Sequence, residues 1–235
     1  MTGTRKLALA TILAFSGGIA AHAADQTILG NQLSVKNPST PDKRKVTLKA
    51  KEKASPNTLV GNPTATGATL TVRANGGTPS AQTFALPQGT SGITGKPFWT
   101  GDAVKGFKYK DSKGEQSAVK SVQIKKSGSG TFQIKTTISG KLGVLLVTPP
   151  NPGTSGCGLL AINAGDSYSV AFKFGDGIVT NKGSTLYKHK KVTMEDTCVL
   201  ATPTTTTSTT TPTTSTTLYG SPSRAFIDRV LGLLD

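Results

Sequence analysis

Strict alternation of apolar and polar residues in short runs constrains this chain more than any other feature. KVTLKAK (45–51) puts Val46, Leu48 and Ala50 on one side and Lys45, Thr47, Lys49 and Lys51 on the other. A period of two with one polar face predicts a half-buried β-strand, because successive side chains of a strand point to opposite faces. ATLTVRA (68–74) repeats the pattern through Leu70 and Val72, and GTFQIKTTIS (130–139) through Phe132 and Ile134. GFKYKDSKGEQSAVKSVQIKK (106–126) reads as two strands joined by a polar turn at Asp111–Gly114. LGVLLVTPP (142–150) is continuously apolar, which predicts an extended segment covered on both faces. DSYSVAFKFGDGIVTNKG (166–183) reads as a hairpin with Tyr168, Val170, Phe172 and Phe174 on one face and Asp176-Gly177 at its turn.

Helical signals are nearly absent between residues 25 and 200, and Gly, Pro and Asn punctuate the strands at fairly regular spacing. The expected fold is all-β: an antiparallel β-sandwich of Greek-key or jelly-roll type over residues 24–200. That length can bury one sizeable core. Two small sandwiches are the alternative, with a join near 76–97 or after Leu142.

The two ends are different. MTGTRKLALATILAFSGGIAAHA has a basic start at Arg5 and Lys6, an apolar run over Leu7–Phe15 and the small-x-small triplet Ala21-His22-Ala23. This is the layout of a secretory signal peptide (1–23) cut after Ala23, and the apolar run is too short to span a bilayer. No later stretch reads as a transmembrane segment, so the expected location is outside the cell or at its surface. At the other end, residues 202–217 hold twelve Thr, two Ser and two Pro. Such a tract has no apolar face with which to offset its ordering entropy, so 201–220 is expected to be a disordered linker. Past it, Ser221-Pro222 opens an amphipathic helix over 221–235, with Phe226, Ile227, Val230, Leu231 and Leu234 on one side. A helix of that length needs a surface: the body, another copy, a docking partner, sorting machinery, or a membrane, the last disfavoured by the lack of lysine on its polar face. The bland alternative is a leftover end.

Cys157 and Cys198 both fall in the part predicted to be exported. An even count in an oxidising compartment points to a disulfide between them; a reactive thiol or a metal pair is the competing reading.

Motifs for chemistry are sparse. After signal removal one histidine remains, His189 in YKHKK, read here as an exposed residue on a basic strand in preference to a catalytic base. Asp166 and Asp176 sit in Gly-Asp turns at either end of a strand, and Glu195 and Asp196 adjoin Cys198. None shows the spacing of a calcium loop, and no phosphate-cradling Gly-rich loop occurs, so no metal and no cofactor is expected.

The positive signal is charge. The formal net charge is +15, and loss of Arg5 and Lys6 with the signal leaves it strongly basic. KRKVTLKAKEK, KGFKYKDSK, KSVQIKK and YKHKK place lysines on outward strand faces. Lys45, Lys49, Lys108, Lys110, Lys188 and Lys190 are therefore candidate contacts for an acidic polysaccharide or other envelope polyanion. The preferred reading is a solvated face whose lysines discourage edge pairing, because lysine outnumbers arginine heavily. Trp99, in KPFWTGD, stacks on a sugar ring if exposed and is a core residue if buried.

LSVKNPSTPDKRKVTLKAKEK (33–53), the strand pair and turn of 106–141, and the cysteine pair followed by a Thr-rich tract together resemble a group of secreted β-rich proteins from environmental bacterial genomes. That group has no established activity; the resemblance implies export and a β fold only. The expected function is thus an exported, non-catalytic surface or extracellular module, structural or binding. Polyanion or glycan binding through the lysine face is one alternative. A secreted hydrolase with an unrecognised carboxylate site is the other.

Overall fold

The computed structural model of the chain describes residues 23–198. All but the last residue of the predicted signal peptide, the Thr-rich linker, and the terminal helix with Phe226, Ile227, Val230, Leu231 and Leu234 lie outside the described residues. The described part is all-β, in two sheets. One has five strands in the order β1 (Asp25–Thr27), β11 (Ser167–Phe172), β10 (Gly153–Ile162), β4 (Ala68–Gly76), β5 (Ser80–Leu86). The other has eight, in the order β12 (Ile178–Lys182), β13 (Leu186–Lys190), β2 (Gly30–Lys36), β3 (Lys45–Glu52), β9 (Phe132–Ser139), β8 (Val119–Lys126), β7 (Gly106–Lys110), β6 (Trp99–Asp102). Neighbours are antiparallel except β1 and β11, which run parallel.

The alternating runs behave as their patterns dictate. In β3, Val46, Leu48 and Ala50 are buried and Lys45 and Lys51 exposed. In β9, Phe132, Ile134 and Ile138 face in, and Lys135 faces out. These join Leu33 and Val35 of β2 and Val122 and Ile124 of β8 in one continuous core. The five-stranded sheet supplies Leu70, Val72, Leu160, Tyr168, Val170 and Phe172 to the same core. Each such aliphatic side chain contributes about 1.5–3 kcal/mol when fully removed from water.

One strand is not legible by alternation. GTSGCGLLAI, the β10 stretch, is rich in the residues that usually mark turns. Its glycines instead let the sheets approach. A Cβ on Gly158 would sit 2.3 Å from Leu48 Cδ2, and one on Gly156 would sit 2.5 Å from Leu33 Cδ2. Gly158→Ala is therefore expected to lower stability by about 1–3 kcal/mol through overpacking, read by chemical denaturation. An unchanged midpoint would mean that Leu48 swings aside at no cost.

Two sequence expectations need correction. LGVLLVTPP is not covered on both faces. Leu145 and Val147 are buried, but Val144 and Leu146 are 73% and 61% exposed. The segment runs beside the edge strand β5 without joining its ladder. Gln82 accepts from the Leu146 amide at 2.8 Å and donates to the Val144 carbonyl at 3.1 Å, and the Ser80 hydroxyl serves Thr148 in the same way. Side chains thus stand in for a neighbouring strand, and a sheet edge is covered. Nor is 166–183 a hairpin. β11 belongs to the five-stranded sheet and β12 to the eight-stranded one, so residues 173–177 cross between sheets. Tyr168, Val170 and Phe172 are buried as expected, whereas Phe174, on the crossing, is 74% exposed.

Candidate polyanion-binding surface

The outer face of the eight-stranded sheet is assembled by register. Lys190, Gln32, Lys49, Lys135, Gln123 and Lys108 are successive cross-strand partners from β13 to β7. Two residues along each strand lies a second row: Lys188, Ser34, Thr47, Thr137, Ser121 and Lys110. With strands about 4.8 Å apart, each row spans roughly 24 Å. Lys49 faces Lys135 directly, and Lys36 faces Lys45. Like charges opposed across a ladder cost roughly 0.2–1 kcal/mol each.

Lysines and neutral polar side chains share this face. A depression of about 350 Å³ over β13, β2, β3 and β9 is lined by Lys36, Lys45, Lys49, Lys135 and Lys188 around Gln32, Ser34, Thr47 and Thr137, and no carboxylate lines it. The side-chain contact with Lys190 pushes the Lys188 ammonium below the usual lysine range, and loss of hydration and the charges of Lys36 and Lys49 act in the same direction. The face therefore lacks counter-charge and would gain from a bound anion.

Toward the β6 edge, Lys108 and Lys110 also border a cleft of about 340 Å³ with Lys96, Lys113, Thr100 and Phe98. Its two carboxylates are engaged elsewhere. Asp111, fully buried, accepts from the amides of Gly114, Glu115 and Gln116 at 2.8, 3.0 and 2.8 Å. Glu115 accepts from the Ser91 hydroxyl and from the Gly92 amide at 2.8 Å, which holds the 91–96 turn over the cleft. These acids build the walls, while the four lysines have no ion pair among the described residues.

The structure thus brings Lys45, Lys49, Lys188 and Lys190 together and sets Lys108 and Lys110 farther along the same rows. Lys36 and Lys135 belong to the patch and were missed as site residues. Their signal was present, since Leu33 and Val35 alternate with Lys36, and Ile134 with Lys135. Trp99 is not part of it. The indole is 2% exposed, donates to the Leu86 carbonyl at 3.1 Å and packs 5.3 Å from the Tyr109 ring, so it cannot stack on a sugar.

His189 also departs from expectation, being fully buried. Its Nε2 donates to the Asp176 carbonyl, the Tyr187 hydroxyl lies 3.1 Å from Nδ1, and the Phe172 ring is 5.6 Å away. Its lysine neighbours point outward, so by alternation the histidine points in. Asp176 is buried too. Burial works against its charge, but the Thr193 hydroxyl and the Thr193 and Met194 amides donate to it and hold its carboxyl below the ordinary range.

Those bonds fasten a strap, residues 192–198, that ends at the Cys157–Cys198 disulfide. Lys173 and Asp196 add an exposed ion pair at 3.3 Å. A further fastener joins two carboxyls. Burial, and then the hydrogen bond with Glu195, raise the pKa of Glu52; that same bond, helped by the Thr27 hydroxyl at 2.7 Å, lowers that of Glu195. Stability from Glu52 is present below its unfolded value and lost as pH rises through its folded one. Stability from Glu195 is present above its unfolded value and lost as pH falls through its folded one. The pair holds best between the two, with one shared proton. Hydrogen exchange of the Thr193–Thr197 amides, corrected for intrinsic rate, is expected to be slowest in that mildly acidic window and about threefold faster at neutral pH, the modest size befitting a pair only partly removed from water. Glu52→Gln should abolish the loss on the alkaline side.

Neither carboxyl lines the clefts described above. Among the described residues no three His, Cys, Asp or Glu side chains are grouped to hold a metal, and no helix is long and apolar enough to cross a membrane. The chain matches no protein-family model, no curated protein and no solved structure.

Proposed function

We propose that this chain is an exported, non-catalytic binding module that holds an acidic polysaccharide against the lysine face of its eight-stranded sheet. The observation that carries this reading is the ladder register, which sets five lysines around a floor of amide and hydroxyl side chains with no carboxylate among them. Opposed lysines such as Lys49 and Lys135 break a local rule of sheet stability, and a counter-anion removes the cost. Gln and Thr between the cations offer hydrogen bonds to sugar hydroxyls. The rows carry neither aromatic rings for stacking bases nor arginine forks for phosphate, which favours a carboxylated or sulfated glycan over nucleic acid.

The test is titration of the exported protein with alginate and with dextran sulfate, using neutral dextran and single-stranded DNA as comparisons. Binding to the two acidic glycans is expected, with log K falling linearly against log salt over roughly 50–200 mM. Salt-independent binding, or equal binding to neutral dextran, would overturn the proposal. Tighter binding to DNA would overturn the choice of glycan.

A further inference from the structure

Asp166 is fully buried, and no lysine or arginine forms an ion pair with it among the described residues. An isolated buried carboxylate is costly unless a cation or several donors compensate it. Its Oδ2 accepts from the Val60 amide at 2.7 Å and the Thr58 hydroxyl at 2.9 Å, with the Tyr168 hydroxyl at 3.4 Å. Its Oδ1 accepts from a single donor, the backbone nitrogen of Ala24, at 2.9 Å.

Ala24 is the residue that follows the Ala21-His22-Ala23 triplet. It is placed firmly: its carbonyl accepts from the Ser167 amide at 2.9 Å, and Asp25–Thr27 then pair in parallel with Ser167–Ser169. Ala23 and Ala24 are both exposed, so the bond between them is open to a protease.

We propose that cleavage between Ala23 and Ala24 turns this nitrogen into an α-ammonium that forms an ion pair with buried Asp166, so that export processing itself completes the N-terminal fastening of the fold. Hydrolysis of the Ala23–Ala24 amide by water leaves a carboxylate on Ala23 and an amine on Ala24, which is protonated near neutral pH. A neutral amide donating one proton becomes a cation donating to the same oxygen, and a charge-assisted bond replaces an ordinary one. The uncut chain has the same hydrogen bond but no compensating charge. The proposal rests on the signal-peptide reading and is independent of the polyanion site.

Two measurements separate its parts. N-terminal sequencing of the exported protein is expected to read Ala-Asp-Gln-Thr; any other start overturns the cleavage. Two otherwise full-length chains, one beginning at Ala24 and one at Ala23, are then compared by calorimetry. The Ala24 chain is expected to melt about 3 °C or more above the other, and Asp166→Asn should erase the difference. Equal melting temperatures with Asp166 in place overturn the ion pair. Should Asp166→Asn fail to fold, acylation of the α-amine decides: it is expected to be about tenfold slower in the Ala24 chain, since pairing with the Asp166 carboxylate favours the unreactive ammonium form. Equal rates overturn the proposal.

Discussion

Replacing Lys49, Lys135 and Lys188 together with glutamine is expected to weaken binding to dextran sulfate about 100-fold while leaving the fold intact. Each lysine near a polyanionic surface contributes about 1 kcal/mol, and three such losses correspond to about two decades in affinity. The salt slope should flatten as well, because fewer counterions are released when fewer cations engage. Stability should hold or rise slightly: Lys49 and Lys135 face each other as like charges, and Lys188 is crowded by Lys190, Lys36 and Lys49. Glutamine keeps two of lysine's four methylenes and a polar end group while removing the charge. The control is Lys96, Lys108 and Lys110 changed likewise in a second variant, which separates the central depression from the cleft near β6. If the central triple variant binds as the parent does, the sheet face is a solvated surface and nothing more.

Loss of the Cys157–Cys198 disulfide is expected to cost about 4 kcal/mol, by the loop-closure entropy of the 41-residue separation it closes. In a domain of this size that corresponds to a fall of roughly 8–16 °C in melting temperature. Calorimetry of Cys157→Ala/Cys198→Ala against the parent measures it. The strap should keep its upper fasteners, since Thr193 and Met194 still donate to Asp176, so limited proteolysis should open first at Glu195–Cys198. A shift under about 2 °C would mean that the unfolded chain is already restrained in that region.

The residues that misled are as informative as those that did not. KVTLKAK, ATLTVRA and TFQIKTTIS form the strands their alternation predicts, because which side of a strand is wet is decided by neighbours one and two residues away. Tyr187 and His189 obey the same rule, so the burial of His189 was legible, but three adjacent lysines drew attention to charge over period. DSYSVAFKFGDGIVTNKG contains a proper turn signal at Asp176-Gly177 and still makes no hairpin. Asp176 is spent on the strap and on the carbonyl contact with His189, and the two flanking strands go to different sheets. In GTSGCGLLAI the glycines mark close sheet packing, which has the same composition as a turn.

By itself the sequence determined that the body is β and which face of most strands carries lysine, and it pointed to a disulfide between the two cysteines. Those properties are local, or follow from a count. Tertiary structure alone decided that β13, β2, β3 and β9 lie side by side, because their pairing depends on burying the inner faces of segments far apart in the chain. That decision turns scattered lysines into one surface, takes Trp99 out of it, and brings Ala24 to Asp166.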